Sequence, residues 1–425
     1  MKKNIIILLA IISFPIFSQN ENNPRFYNRL AFQAYNAHDY KDFLKYMKHA
    51  YELSNTHQSY IYNLAIAYLF NNNKEEAISL IKRGLNFGFV YPLDKDEDLS
   101  DLKNDPGFEK LLKQNLSNQR PMNISTTVAK LPAKQVIAEG LAFEPNNSSF
   151  FMSSIYKGIF YNFNKENKVL WQSEDENFGS VAGLKIDGQK NLLWGTFVHQ
   201  PQSENFVDSL EGNSGVFCYN LVTKEKLLKI NIEKDSLEKH WFGDMILDSN
   251  GSVYASDSYA GKIYKFSAPD FKPQIFLSDS NIISLQGLTL TDNEPYLIFS
   301  DYARGLFLYD NKTSEVKEIK NLANNTLLGI DGIYFYKKDK LIAVQNGINP
   351  QRIIEITFDK NYNCAINLTV LEANNPDYEE ITLGTIYKNN FYFIANSQWN
   401  KFTRKGEIFN ADKFNDIIIK AIKLD

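Results

Sequence analysis

Glu139, Gln286 and Asp331 each stand immediately before the glycine of one recurring pattern, in EGLAF, QGLTL and DGIYF. Three further copies, AGLKI at Ala182, GDMIL at Gly243 and LGTIY at Leu383, bring the set to six. Acid and amide side chains at one position of a repeating unit converge when the units are arranged about an axis. Two carboxylates brought together repel, and a shared proton or a bound cation removes the conflict. Oxygen donors of this kind favour a divalent cation, Ca²⁺ first and Mg²⁺ second, over softer metals. Such an ion polarises a carbonyl and acidifies water, and a carboxylate in reach takes the proton. The plainer alternative is that Glu139 and Asp331 bond backbone amides or hold one proton between them. His240 lies three residues before Gly243 and is a candidate base; a lone histidine near a strand end is otherwise a hydrogen-bonded structural residue.

The elements that must position these residues are strands. Each copy is followed by a polar turn and a second apolar run, ending in MSS, WGT, ASDS, FSDY, VQNG or IANS, and most copies by a third run. The copies start 43, 61, 43, 45 and 52 residues apart, and the second unit is lengthened by HQPQSENFVDSLEGN. A blade-sized period with several strands per unit predicts a six-bladed β-propeller, in which neighbouring blades cover each other's apolar faces. The pattern opens the innermost strand, so the six residues before the glycine form a ring at one mouth of the channel. Blade three departs from the rule, with Asp244 in the glycine position. A strand near Thr126–Lys130 is expected to pair with IIIKAIKL at the C-terminus and close the ring. Gln345, Asn346, Asn396 and Trp399 end second strands or follow them, and are candidate substrate-binding residues. Asp257 and Asp301 sit where turn capping is the default, and the polar QNGINPQR stretch reads as a binding loop.

Residues 24–115 have a different period. With a shift of 34 residues, Leu30 matches Leu64, Ala31 matches Ala65, Phe43 and Met47 match Ala77 and Ile81, and Ala50 matches Gly84. This marks helix-turn-helix repeats, with DLKNDPGFEKLLKQN as a closing helix and 116–124 as a linker, because Arg120 before Pro121 avoids the helical region. His38, His49 and His57 lack metal-ligand spacing and read as surface residues. The expected fold class is an all-β six-bladed propeller over 125–425, preceded by an all-α helical-repeat domain. Residues 1–18 read as a signal peptide, with Lys2 and Lys3 before a short apolar stretch, so the chain is expected to be exported, periplasmic or secreted, without a membrane span in the mature form. Cys218 and Cys364 are expected to be ordinary thiols. With Lys+Arg 46 against Asp+Glu 50 and a formal charge of -4, no nucleic-acid partner is indicated. No phosphate loop, dinucleotide fingerprint, nucleophile elbow or zinc helix is present.

Two resemblances follow. YNLAIAYLFNNNKEEAISLIKRGL resembles the tetratricopeptide family over about two repeats, which implies a protein partner or a spacer role. AEGLAFEPNNSSFFMSS, DMILDSNGSVYASDSYAGKIYKF, LQGLTLTDNEPYLIFSDYARGLFLYD and GIDGIYFYKKDKLIAVQNG resemble the senescence marker protein/gluconolactonase-like propellers. That likeness implies a divalent ion held by a glutamate, two asparagines and an aspartate, and hydrolysis of lactones. Glu139 and Asp331 match the acids, with Asp331 in the role of base. Gln286 falls at one asparagine position and Gly243 at the other. Asp244 is the adjacent candidate ligand, although a one-residue offset in a regular strand points a side chain the other way. The expected function is a metal-assisted hydrolase of lactones or related esters acting on a small molecule at the channel mouth. The alternative is a non-catalytic propeller that binds a sugar or peptide.

Overall fold

The structure, a computed structural model, describes residues 23–174, 177–409 and 413–425. The expected signal peptide lies outside the described residues. The chain divides into two compact units: the first runs to Pro121 and includes 321–328 and 347–350, and the second takes the rest of 122–425.

Among its described residues the first unit contains five α-helices: α1 Pro24–Asn36, α2 Tyr40–Leu53, α3 Gln58–Phe70, α4 Lys74–Asn86 and α5 Pro106–Asn118. The offset of 34 carries the start of α1 onto that of α3 and the start of α2 onto that of α4. Local chemistry sets the starts. Asn23, Asp39, Asn73 and Asp105 each accept a backbone amide of the first turn, and Pro24 and Pro106 occupy the first helical position, where no amide is needed. The matched residues Ala31, Ala65, Phe43, Ala77, Met47 and Ile81 are buried together, as the repeat requires. His57 departs from its surface reading: it stacks on Tyr60 at 3.9 Å, and burial lowers its pKa to about 4. The 3-10 turn Glu97–Leu102 buries Leu99 and Leu102. Tyr35 of α1 donates to Asp98 Oδ2 and Tyr62 of α3 to Asp96 Oδ2, both at 2.7 Å, so the chain itself covers the face that α1 and α3 share. The NGINP stretch also departs from a free binding loop. Asn349 exchanges hydrogen bonds with Gln58 at 2.7 and 2.8 Å, and Val90 N donates to its carbonyl at 2.9 Å.

The second unit is a six-bladed β-propeller. Its innermost strands are Ala138–Glu144, Ser180–Asp187, Phe242–Leu247, Leu285–Leu290, Ile330–Lys337 and Gly384–Tyr387, so all six glycine patterns line the axis. Apolar clusters lie between adjacent blades: Phe151 and Phe160 pack with Phe197 and Phe217, and Trp194 and Val216 with Met245 and Tyr264. The sixth blade closes the ring as expected, with Ile417–Lys423 paired antiparallel to Thr126–Leu131. The linker is shorter than its composition suggested. Met122 pairs with Ala373, and the buried carboxylate of Glu372 accepts the Ile124 and Ser125 amides at 2.9 and 2.7 Å, the Ser125 hydroxyl at 2.8 Å and the Tyr378 hydroxyl at 2.8 Å. Cys218 and Cys364 are free thiols. No helix among the described residues is long and apolar enough to cross a membrane.

Candidate active site at the channel mouth

The ring is built by a repeated defect. In blades one to five the register of the first hairpin slips at the pattern itself, between Ala138 and Leu141, Val181 and Leu184, Phe242 and Met245, Leu285 and Leu288, and Ile330 and Ile333. Each slip is a bulge holding the residue before the glycine and the glycine itself. Glycine is required because the next blade is too close for a side chain. A Cβ on Gly140 would lie 2.2 Å from the Ala182 carbonyl oxygen, and one on Gly287 would lie 2.5 Å from that of Asp331. A hydroxyl from the second strand stitches the gap. Ser153 Oγ accepts from Gly140 N at 2.7 Å and donates to Ala182 O at 2.5 Å; Ser300 Oγ accepts from Gly287 N at 2.9 Å and donates to Asp331 O at 3.0 Å. In blades two and three Thr196 and Ser256 accept the corresponding amide, from Gly183 N at 2.8 Å and Asp244 N at 3.2 Å, so the hydroxyls near the ends of the second runs of blades one to four serve the bulge.

Blade three keeps the same register, so Asp244 occupies the glycine position itself. The bulge breaks strict alternation, and the carboxyl does not turn away from the axis. It faces Lys185 Nζ at 3.6 Å, and its charge raises the pKa of both Asp331 and Tyr334. Its Oδ2 is buried without a hydrogen-bond partner among the described residues. The sixth blade differs again. Its innermost strand begins only at Gly384 and pairs without a slip. Leu383 points toward Gly332, whose added Cβ would lie 2.9 Å from Leu383 Cδ2. The preceding residue, Thr382, is 1% exposed and its hydroxyl faces both Glu139 and Asp331, pulling down the pKa of each. That hydroxyl makes no well-formed hydrogen bond among the described residues.

Glu139 and Asp331 therefore meet in one polar chamber. Glu139 is 7% exposed, and Trp399 Nε1 donates to its Oε2 at 2.9 Å. Burial, then the charge of Asp331, raises its pKa to about 8. Asn346 Nδ2 donates to Asp331 Oδ2 at 2.8 Å and to Ile381 O at 2.9 Å, while the Tyr302 hydroxyl donates to Asn346 Oδ1 at 3.0 Å. Burial raises Asp331 to about 6, opposed by the Asn346 hydrogen bond and assisted by Asp244. A third carboxyl, Glu380, is raised to about 7 by burial and then by Asp331, and Tyr302 is pushed up by burial and by both Asp331 and Glu380. Glu380 has a left-handed backbone (φ 65), an uncommon conformation for a residue with a side chain.

The other candidates divide. Gln286 is half-buried at the ring, its amide 3.4 Å from Ser284 Oγ. Asn346 and Trp399 reach the chamber. Gln345 does not: its Oε1 accepts from the buried Arg352 Nε at 2.6 Å. Asn396 is spent on the backbone, bonding Asp416 O at 2.9 Å and Ile418 N at 2.7 Å. His240 is buried with Nδ1 2.7 Å from Asp257 Oδ2. Asp257 Oδ1 also takes the Trp241 amide at 2.9 Å, and Asp301 the Ile283 amide at 2.6 Å, so both aspartates cap turns.

The ligand set that the likeness implies is incomplete. Gly243 offers no side chain, and Glu139 and Asp331 each already accept an N–H. Among the described residues no three His, Cys, Asp or Glu side chains are grouped to hold a metal ion. The residues present fit a pair of carboxyls sharing protons better than a four-ligand ion site.

No family model matches the chain, and no curated protein matches it. Among solved structures, a gluconolactonase from Xanthomonas campestris is similar at 11% identity and TM-score 0.46, covering 72% of this chain and 94% of its own. A luciferin-regenerating enzyme aligns at 14% identity and TM-score 0.48, covering 72% and 96%. A PQQ-bound aldose sugar dehydrogenase from Streptomyces coelicolor aligns at 12% identity and TM-score 0.46, covering 71% and 98%.

Proposed function

We propose that the propeller unit is a hydrolase of lactones or related esters, acting at the channel mouth by acid–base chemistry of its paired carboxyls. The observation that carries the reading is the convergence of Glu139 and Asp331 in one buried chamber with proton affinities pushed apart. Paired carboxyls so separated divide acid and base roles. Near neutrality Asp331 is largely ionised and Glu139 largely protonated. Asp331 takes a proton from water as the water oxygen bonds to the ester carbonyl carbon. The bond from that carbon to the leaving oxygen breaks, and the leaving oxygen receives the proton of Glu139. The product is a carboxylic acid and an alcohol, joined in one molecule when the substrate is a lactone. Asn346, braced by Tyr302, orients Asp331, and the Trp399 indole orients Glu139. No step is assigned to a metal ion.

The test measures hydrolysis of an aliphatic lactone and an aryl ester, with Ca²⁺ and with chelator. Asp331→Asn and Glu139→Gln are each expected to lose about a hundredfold or more in kcat, while the folded state persists. Unchanged turnover in both variants would move the chemistry elsewhere. One observation favours the alternative of a non-catalytic binding propeller: Gly243 leaves an expected ligand position empty of side chain. Saturable sugar or peptide binding without turnover by the intact protein would support it.

A further inference from the structure

We propose that two insertions form an arch over one side of the channel mouth and set the size of molecule that reaches the carboxyls. This rests on the mouth being a ligand site. Both insertions join a second strand to a third, at the end of the blade where the glycine patterns begin. One spans 199–213 in blade two, and the other follows Asn390–Ile394 in blade six. In blades three and four the same connection is only 258–261 and 302–304.

The arch springs from blade six, where Trp399 is bonded to Glu139. Phe402 follows. Its ring lies 4.7 Å from that of Tyr156 in the blade-one connection, and it packs with Ile137, Ile155 and Ala182. Ala182 is the blade-two member of the ring, so this apolar cluster sits at the mouth itself. The chain then reaches Gly406, where it meets the other insertion. A Cβ there would lie 2.4 Å from Pro201 O and 3.2 Å from Gln202 Cα, and the backbone is left-handed (φ 78). Only glycine allows that apposition. The blade-two insertion is pinned in turn, since Glu204 N donates to Tyr156 O at 2.7 Å and Lys157 Nζ meets Glu204 Oε1 at 2.7 Å. It ends the arch on blade three, where Trp241 Nε1 donates to Gln200 Oε1 at 2.9 Å. Residues of blades six, one, two and three are thus joined in one run of contacts that starts at the Trp399 bond to Glu139. The blade-four side carries only the short connection holding Tyr302. The site accordingly favours small single-ring esters over bulky ones that must pass under the arch.

Two variants and two readouts test this. Gly406→Val forces the insertions apart at their contact, and Phe402→Ala removes the anchor on blade one. Acrylamide quenching of Trp399, taken as the difference from the matching Trp399→Phe protein, is expected to rise about twofold in each as the cover loosens. The ratio of kcat/KM for a bulky naphthyl ester over that for a small aliphatic lactone is expected to rise about tenfold. Unchanged quenching in both variants, with melting temperatures showing that both are folded, overturns the arch. So does raised quenching with an unchanged ratio. If the unaltered protein turns over neither ester, the quenching comparison still decides the arch, and the hydrolytic reading alone falls.

Discussion

Replacing Glu139 by glutamine should stabilise the propeller at high pH and leave it nearly unaffected at low pH. Folded Glu139 holds its proton to about 8 against an ordinary value of 4.5. A carboxyl raised in this way favours the folded state fully below the unfolded value, and the advantage is lost as pH rises through the folded one. The shift corresponds to about 4 to 5 kcal/mol at about 1.4 kcal/mol per unit. Relaxation around a buried charge reduces such figures, so about 2 to 3 kcal/mol is expected. A domain of this size gains about 2 °C in Tm per kcal/mol. Glu139→Gln should therefore melt about 5 °C above the unaltered protein at pH 9 and within about 1 °C of it at pH 5. The Gln Oε1 still accepts the Trp399 indole, so the hydrogen bond is kept while the charge is removed. Scanning calorimetry of both proteins from pH 5 to 9 provides the comparison. A Tm difference that does not vary with pH would refute the claim that Glu139 is a buried acid with a displaced proton equilibrium.

Other outcomes follow from the same geometry. Ester hydrolysis, measured as kcat/KM, should be bell-shaped, rising through about 6 as Asp331 ionises and falling through about 8 as Glu139 loses its proton; a profile flat across that range would remove both from the mechanism. Glu372→Ala leaves the Ile124 and Ser125 amides and the Tyr378 hydroxyl without their acceptor, and should lower unfolding free energy by about 3 kcal/mol or more in a denaturant titration. Gly140→Ala places a methyl carbon 2.2 Å from a carbonyl oxygen of the next blade, and should destabilise by about 2 kcal/mol or more. Ser300→Ala, which removes one stitch between blades four and five, should cost about 1 to 2 kcal/mol by the same titration.

The repeat unit was legible because its causes are local. The glycine column marks a close approach between blades, and Ser153 and Ser300 of the second runs are hydroxyls that bridge it. The helix pairs at a spacing of 34 were legible for the same reason. The chamber was legible only in part. Asp244 is a candidate ligand that the alternation of a regular strand turns away from the axis, and the bulge at blade three overrides that alternation. Thr382 and Glu380 escape the repeating pattern because blade six pairs without the slip of the others. One signal was present in the sequence: the residue two before the glycine is apolar in Ala138, Val181, Phe242, Leu285 and Ile330, and only in blade six is it a threonine. Asn396 and Gln345 could not be told from ligand-binding residues, since their partners, the Asp416 and Ile418 backbone and Arg352, are set by tertiary packing.

The closing blade has a consequence for how the protein is made. Thr126–Leu131 leaves the ribosome before any other strand of the sheet domain, yet its partner Ile417–Lys423 is the last strand of that domain to be made. While the sheet domain is being made, the nascent chain therefore carries an unmatched strand edge behind its helical unit, and blade one waits with one apolar face bare until the sixth sheet forms against it. The circle thus closes only once the last strand of the sheet domain has emerged, and the interval before closure is when this domain is most exposed to aggregation.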